Sequence, residues 1–238
     1  MRIILIGISL PLLILSACAP NEQATEQPLI PNADDGPPTH VPVNLTPAAG
    51  AAITALSRNW GLPADQITLV STEAVDWPDG CLDVPEEGLD CTQVITPGFR
   101  VILEADGKQV EYRTNEDGTQ LRPATTVLTW KREGGFAGFC DYMTVYLSGE
   151  VHRNSCKGGQ YAEEYLIDLL SAEETAQMNE WVMSYGQVHV DASDPEGVAD
   201  RMVIQLTFSG VGSEQSMSTS DQQQLLDFAQ GLYERFTR

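Results

Sequence analysis

The sequence predicts an α+β fold of two small domains, each an antiparallel sheet with packed helices. Strand patterns of period two are followed by helical stripes in both halves of the folded part, and the chain breaks near Pro123. About 190 folded residues could form one large domain or two small ones, and this break favours two. We predict a small α+β module at residues 46–122 and a second α+β domain at residues 123–238.

The first 17 residues have the pattern of a signal peptide. Arg2 supplies a positive charge, and residues 3–15 form an apolar run that is shorter than the roughly 20 residues of a membrane-spanning helix. Leu-Ser-Ala-Cys at residues 15–18 matches the bacterial lipobox. The sequence therefore predicts a lipoprotein that is cleaved after Ala17 and carries a diacylglyceryl group on Cys18, and an ordinary secretory peptide is the alternative.

The lipid on Cys18 predicts attachment to the cell membrane or the outer membrane, on the side away from the cytoplasm, because two or three acyl chains anchor a protein stably. Residues 18–45 are rich in Pro, Asn, Asp and Glu and lack an apolar period, which predicts a disordered tether. The net charge of −21 disfavours nucleic acid and anionic lipid surfaces as partners. The usual role of an acidic surface is solubility, and a basic partner is the alternative.

The remaining four cysteines predict two disulfides, because an even number of cysteines in an exported protein is typical of bridges. Three pairings are possible, and the most economical one places one bridge in each domain. Each bridge would add about 3 kcal/mol in the chain-entropy picture. Zinc is the competing use of four cysteines, but Cys-x-x-Cys is absent and no histidine lies at ligand spacing, so we predict no metal site. The favoured pairs are Cys81–Cys91 and Cys140–Cys156.

In the module at residues 46–122, a helix begins at Thr46 and Pro47 and ends at Gly61. A strand at residues 67–75 and a hairpin around Asp106-Gly107 follow it. The acids of the intervening "WPDGCLDVPEEGLDCTQVITPG" do not fit a calcium loop, so we expect a solvated loop closed by a disulfide. This stretch resembles a module of secreted bacterial proteins that has no assigned activity.

The second domain shows strand patterns at residues 125–130, 143–147 and 202–208. A capping box at Ser171 starts one helix, and a second helix begins at about Ser220. Helices and an antiparallel sheet in this order predict an α+β domain.

The segment "KREGGFAGFC" at residues 131–140 connects two of these strands. A phosphate-binding loop would lead into a helix and carry a Lys-Ser/Thr pair, and this segment has neither feature. Its glycines predict a tight turn with positive φ. We expect Phe136 and Phe139 to fold into the core.

The stretches "LTWKREGGFAGFCDYMTVY", "LSAEETAQMNEWV", "DRMVIQLTF" and "QQQLLDFAQGLYERF" are together similar to emfourin. Emfourins are small bacterial protein inhibitors of protealysin and related thermolysin-like zinc metallopeptidases. The resemblance covers about residues 125–238, and it implies an inhibitor that blocks a cleft by shape and buried contacts. The stretch from His152 to Asp168 departs from the family, and no protease-contacting residue carries over. The likeness is sharpest at Arg132, Glu133, Gly134, Gly135, Phe136 and Gly138.

No catalytic set emerges from the sequence. His40 lies in the tether, His152 reads as polar surface beside Arg153, and His189 reads as a solvent-facing strand residue. His-Glu-x-x-His and Gly-x-Ser-x-Gly are both absent. We therefore predict neither an enzyme nor a cofactor. Two functions remain: a membrane-anchored inhibitor of a secreted metallopeptidase, and a cell-envelope binding or scaffold lipoprotein without inhibitory activity.

Overall fold

The computed structural model describes residues 45–157, 160–161, 166–213 and 217–235. The predicted signal peptide, Cys18, and the tether as far as residue 44 lie outside this part of the chain. The helices are α1 Pro47–Trp60, α2 Ala172–Ser184 and α3 Thr219–Arg235. The strands are β1 Thr68–Trp77, β2 Thr96–Ala105, β3 Lys108–Asn115, β4 Leu121–Pro123, β5 Thr126–Gly134, β6 Phe139–Tyr146, β7 Glu150–Lys157, β8 Gln160–Tyr161, β9 Leu166–Leu169, β10 Gln187–Asp191 and β11 Met202–Ser209.

The first sheet has the strand order β1-β2-β3-β4, and every neighbouring pair is antiparallel. Helix α1 contributes four of its alanines and Leu56 to the core formed with β2 and β3, and these alanines are Ala48, Ala49, Ala52 and Ala55. The Thr46 hydroxyl accepts a hydrogen bond from the Ala49 N–H at 3.2 Å, and Gly61 ends the helix with φ +65°. Both helix-end signals in the sequence are confirmed, because each satisfies backbone groups that the helix leaves unpaired.

The second sheet has the order β10-β11-β5-β6-β7-β8, and β9 also pairs with β7. All of its pairs are antiparallel. Helix α2 begins with the predicted capping box, in which Ser171 and Glu174 exchange hydrogen bonds of 3.2 and 2.7 Å. Helix α3 packs its Tyr233 ring 5.2 Å from the Trp130 ring of β5. The α+β architecture predicted from the sequence is confirmed.

The two sheets share one cluster of buried hydrophobic residues. The Trp60 indole of α1 donates to the Leu147 carbonyl at 3.2 Å, beyond the end of β6. Two residues connect β4 to β5, and both are hydrogen-bonded: the Ala124 N–H to Glu111 and the Thr125 carbonyl to the Leu147 N–H. The segment between β4 and β5 is therefore hydrogen-bonded to the first sheet at Glu111 and to Leu147, just beyond β6 of the second sheet.

The cysteines pair as the sequence favoured. Cys81 is bonded to Cys91 within the loop between β1 and β2. Cys140 at the start of β6 is bonded to Cys156 near the end of β7, so this bridge joins neighbouring strands.

Strand β4 is not predicted by the sequence, and neither is the β7–β8–β9 arrangement. Both consist of strands of four residues or fewer paired to a longer neighbour, which leaves too few residues for a periodic pattern. Among the described residues, no helix has the length and apolarity that crossing a membrane requires.

Candidate functional site

The second sheet has two chemically different faces. Along β5, Trp130 points to the face that α2 and α3 cover, whereas Thr129 and Lys131 point to the other face. The register carries this second face across the sheet, because Thr129 lies opposite both Thr144 of β6 and Thr207 of β11. This polar face is the part of the molecule where ligand-binding chemistry is concentrated.

One half of the polar face is covered by residues 78–95, here called the covering loop. Its first part buries Leu82 against the sheet that holds Trp77, and the Trp77 indole donates to the Thr114 carbonyl at 2.9 Å. Its acidic part continues across β6 and β7 of the second sheet. The predicted disulfide closes the loop, and residues 92–95 are exposed as a solvated loop would be. The loop is not solvated throughout, because Cys81, Leu82, Val84 and the side chain of Glu86 are buried.

Glu86 of the covering loop is the centre of a buried polar network. Its side chain is 1% exposed and forms an ion pair with Arg122 of β4. The Tyr146 hydroxyl donates to Glu86 Oε1 at 2.6 Å, and His152 Nδ1 lies 2.9 Å from the same oxygen. His152 Nε2 lies 3.2 Å from Glu150 Oε2, so the imidazole has a carboxylate at each nitrogen.

The prediction that His152 is polar surface is wrong, because its side chain is 3% exposed. Its polar partner Glu86 lies 66 residues earlier in the chain, where no local pattern could reveal it. Burial alone would lower the pKa of His152, but the hydrogen bonds to Glu150 and Glu86 raise it above its ordinary value. Burial would likewise raise the pKa of Glu86, but His152, Arg122 and Tyr146 bring it below its ordinary value. Glu86 therefore links Arg122 of the first sheet to Tyr146 and His152 of the second sheet through buried polar contacts.

The other half of the polar face is an open groove of about 390 Å³. It is bounded at one end by the Pro85–Glu87 segment of the covering loop and floored by β5, β6, β10 and β11. Two of the lining residues on these strands, Trp130 and Met143, are buried and apolar. The others are polar, and they are Thr129, Lys131, Glu133, Tyr142, Thr144, His189, Gln205 and Thr207. We call this feature the polar groove.

Several groove side chains hold one another in place. The Tyr142 hydroxyl donates to Glu133 Oε1, and Lys131 Nζ lies 3.4 Å from Glu133 Oε2. The hydrogen bond from Tyr142 lowers the pKa of Glu133, so this carboxylate stays ionised. His189 faces solvent as predicted, with Nδ1 3.3 Å from the Thr207 hydroxyl. The groove therefore presents a fixed set of hydrogen-bonding groups.

The loop that resembles emfourin is the hairpin between β5 and β6. Gly134 has φ +85°, Gly135 +69° and Gly138 +65°, which confirms the predicted positive-φ turn. A Cβ on Gly134 would lie 2.3 Å from the Arg201 carbonyl, so the chain comes too close there for any side chain. The expectation that Phe136 folds into the core is wrong: its side chain is 94% exposed at the tip of the turn.

The base of this hairpin is firmly held. Arg132 donates to Asp141 Oδ2 from Nε at 2.9 Å and from Nη2 at 2.7 Å, which ties β5 to β6. The Tyr233 hydroxyl of α3 donates to the other Asp141 oxygen at 2.9 Å. The Arg132 guanidinium also lies 4.0 Å from the centre of the Phe139 ring. The Arg132 side chain therefore lies on the helix-covered face of β5 and the Glu133 side chain on the polar face. Residues 136–138 of the turn are exposed to solvent.

One cluster has the composition of a metal site. Within the described ranges, Asp79, Cys81 and Cys91 place ligand atoms within 4.8 Å of one another. Both sulfurs are used in the disulfide, and metals bind the thiolate form. Asp79 Oδ1 accepts hydrogen bonds from the N–H groups of Cys81 and Asp83 at 2.8 and 3.1 Å. Asp79 therefore shapes the covering loop.

Comparison with known families gives one match. A family model described as a domain of unknown function, DUF8738, matches residues 49–123, which comprise most of α1, the covering loop and β1 to β4. No curated protein and no solved structure matches the chain. Glu86 lies in the matched segment, while its partners Tyr146 and His152 lie outside it.

Sequence reasoning missed the polar groove. The sequence does carry the residues of its floor, as polar residues at alternate positions such as Thr129 and Lys131 in β5 and Gln205 and Thr207 in β11. That alternation is the ordinary signature of a strand with one solvated face. Only the register shows that these polar positions lie side by side and next to the covering loop.

Proposed function

We propose that this chain is a lipid-anchored, extracytoplasmic protein that binds another protein through the β5–β6 hairpin tip and catalyses no reaction. The observation that carries the proposal is the exposure of Phe136, an aromatic ring held at the tip of a short turn on a well-fixed base. Aromatic side chains that enter a partner's pocket dominate binding energies at protein interfaces.

The rigidity of the hairpin base supports this role. A flexible loop loses conformational entropy on binding, whereas a loop fixed beforehand avoids most of that cost. The Arg132–Asp141 pair, in which two N–H groups donate to one carboxylate oxygen, and the Cys140–Cys156 bridge both lie next to the turn. The ring is therefore presented in a defined place at little further cost.

The resemblance to emfourin gives the proposal its concrete form. An inhibitor of a thermolysin-like metallopeptidase must enter a concave active site, and a narrow hairpin with one projecting ring has a suitable shape. A binding or scaffold lipoprotein that uses the same tip without inhibiting a peptidase is the second candidate, and the acidic charge of −21 favours a partner with a basic surface.

The anchor is tested by cell fractionation of the full-length protein and its Cys18→Ser variant. We expect the parent protein in the membrane fraction and the variant in the soluble fraction. Retention of the Cys18→Ser protein in the membrane fraction would contradict lipid anchoring at this residue.

Inhibition is tested with the soluble Cys18→Ser protein, titrated against thermolysin-like peptidases while cleavage of a short peptide is followed. We expect stoichiometric inhibition, and Phe136→Ala should weaken it by about 2 kcal/mol, or about 30-fold. Val211→Ala is the matched control, because Val211 is 72% exposed in a different loop. Inhibition that the two variants reduce equally would exclude the hairpin tip. Full peptidase activity in the presence of a micromolar excess of the Cys18→Ser protein would exclude inhibition, and the second candidate, a binding or scaffold lipoprotein, would remain.

A further inference from the structure

The polar groove is a second surface, separate from the hairpin tip, and nothing in the proposed function uses it. We propose that the groove binds a neutral polyhydroxylated chain, that is, a segment of an uncharged oligosaccharide. The groove offers three features that suit such a ligand: the arrangement of its hydrogen-bonding groups, its charge, and a pair of aromatic rings at one end.

The hydrogen-bonding groups form two rows across four strands. Cross-strand pairing aligns the first row, which runs His189, Thr207, Thr129, Thr144. It aligns the second row in the same way, which runs Gln205, Lys131, Tyr142. Asp191 does not line the groove but lies next to it, paired with Gln205 and accepting a hydrogen bond from the Gln205 amide at 3.2 Å. Neighbouring groups in a row are about 4.8 Å apart and the rows are about 7 Å apart, as strand geometry requires. An extended ligand can therefore make repeated contacts along the floor.

The two rows mix donors with acceptors. The Lys131 ammonium group can only donate hydrogen bonds, and the ionised Asp191 carboxylate next to the groove can only accept them. The Gln205 amide and the threonine hydroxyls can do both. A ligand hydroxyl also donates and accepts, so a chain of hydroxyls can satisfy either kind of group. A peptide chain has fixed donors and acceptors and would need a register that matches them.

The charge of the groove disfavours an anionic ligand. Hydrogen bonds from Ser193 and Gln205 hold the pKa of Asp191 at about 2, and the pKa of Glu133 is lowered as well. Both carboxylates are ionised at neutral pH, while Lys131 is already paired with Glu133 at 3.4 Å. The single ammonium group leaves no excess of positive charge for a phosphate or a sugar acid.

Two aromatic rings lie together at one end of the groove. The Tyr142 ring lines it, and the Tyr161 ring lies 5.9 Å away. Each hydroxyl is bonded to a carboxylate, Tyr142 to Glu133 and Tyr161 to Glu87, which fixes the rings. Sugar rings present C–H groups on one face, and such a face can lie against an aromatic ring. The volume of about 390 Å³ lies in the usual range for a small-ligand site.

The test uses the Cys18→Ser chain and two neutral probes, chitohexaose and cellohexaose. Hexagalacturonate and pentalysine serve as anionic and cationic probes, and binding is followed by calorimetry and by amide chemical shifts. We expect a Kd of about 1 mM or tighter for at least one neutral probe, with shifts confined to the groove strands. We expect the two charged probes to bind at least about tenfold more weakly.

A matched pair of variants locates the binding. Gln205→Leu removes an amide from the centre of the groove, and Gln109→Leu removes an exposed amide from β3 of the other sheet. We expect the first to weaken binding at least about tenfold and the second to leave it unchanged, with both proteins shown folded by circular dichroism. Three results would overturn the proposal: no response to either neutral probe at about 10 mM, tighter binding of a charged probe, or equal affinities in the two variants.

Discussion

Replacement of Glu86 by glutamine tests whether the covering loop joins the two sheets. The variant keeps the shape of the side chain but removes the charge that Arg122, Tyr146 and His152 contact. Loss of one partner from a buried ion pair costs about 3–5 kcal/mol, because the remaining charges stay buried without compensation. In a folded part of this size, each kcal/mol lowers Tm by about 2–4 °C, so we expect a decrease of about 6–20 °C.

The effect should depend on pH in a defined direction. His152 has a raised pKa, so its contribution is complete below its ordinary value of 6.5 and is lost as pH rises through the folded value above it. Glu86 has a lowered pKa, so its contribution is present above its ordinary value of 4.5 and is lost as pH falls through the folded value below it. The network therefore stabilises the fold most between pH 4.5 and 6.5, and Glu86→Gln should be most damaging there.

A thermal melt measures the decrease in Tm, and guanidinium unfolding followed by tryptophan fluorescence at several pH values measures the free energy of unfolding and its pH dependence. Glu73→Gln is the matched control, because it breaks the Glu73–Arg100 pair, in which the Glu73 side chain is 65% exposed. Such surface pairs contribute about 0–1 kcal/mol. If Glu86→Gln destabilises no more than Glu73→Gln, or if its effect is the same at pH 5.5 and pH 8.5, the buried network does not stabilise the contact between the two sheets.

Three further changes test the framework that holds the groove and the hairpin. Gly134→Ala should destabilise by more than about 1 kcal/mol, because φ is +85° and the new Cβ would meet the Arg201 carbonyl; an unchanged unfolding midpoint would contradict the tight turn. Ser171→Ala should lower the free energy of unfolding by about 1 kcal/mol through loss of the α2 cap, and a Tm equal to that of the parent protein would refute this. Tyr233→Phe leaves one oxygen of Asp141 without its donor and should cost about 1–3 kcal/mol by denaturant titration, whereas a stability within 0.5 kcal/mol of the parent would show that the bond contributes nothing.

The features predictable from sequence were those encoded locally. Thr46 with Pro47 starts α1, the Ser171 capping box starts α2, and Asp106-Gly107 forms the β2–β3 turn with φ +49° and +70°. In each case, residues adjacent in the chain supply all the interactions that define the feature. The pairing of each cysteine with its partner was also accessible, since each bridge closes a short loop.

The features that the sequence left hidden depend on residues far apart in the chain. His152 meets its buried partner Glu86 only because the covering loop carries Glu86 to it, and the groove exists because Thr129, Thr144 and Thr207 pair side by side. Phe136 was expected inside because large aromatic residues are usually buried. A turn of four residues, from Gly135 to Gly138, is too short to bring that ring back to the sheet.

Site-specific photo-crosslinking in the native cell tests most directly that the hairpin tip contacts another protein. A benzophenone amino acid would replace Phe136 in the anchored protein and, in a parallel strain, Val211. We expect one discrete adduct from position 136, identifiable by mass spectrometry, and none of the same mass from position 211. No adduct from position 136, or the same adducts from both positions, would contradict it.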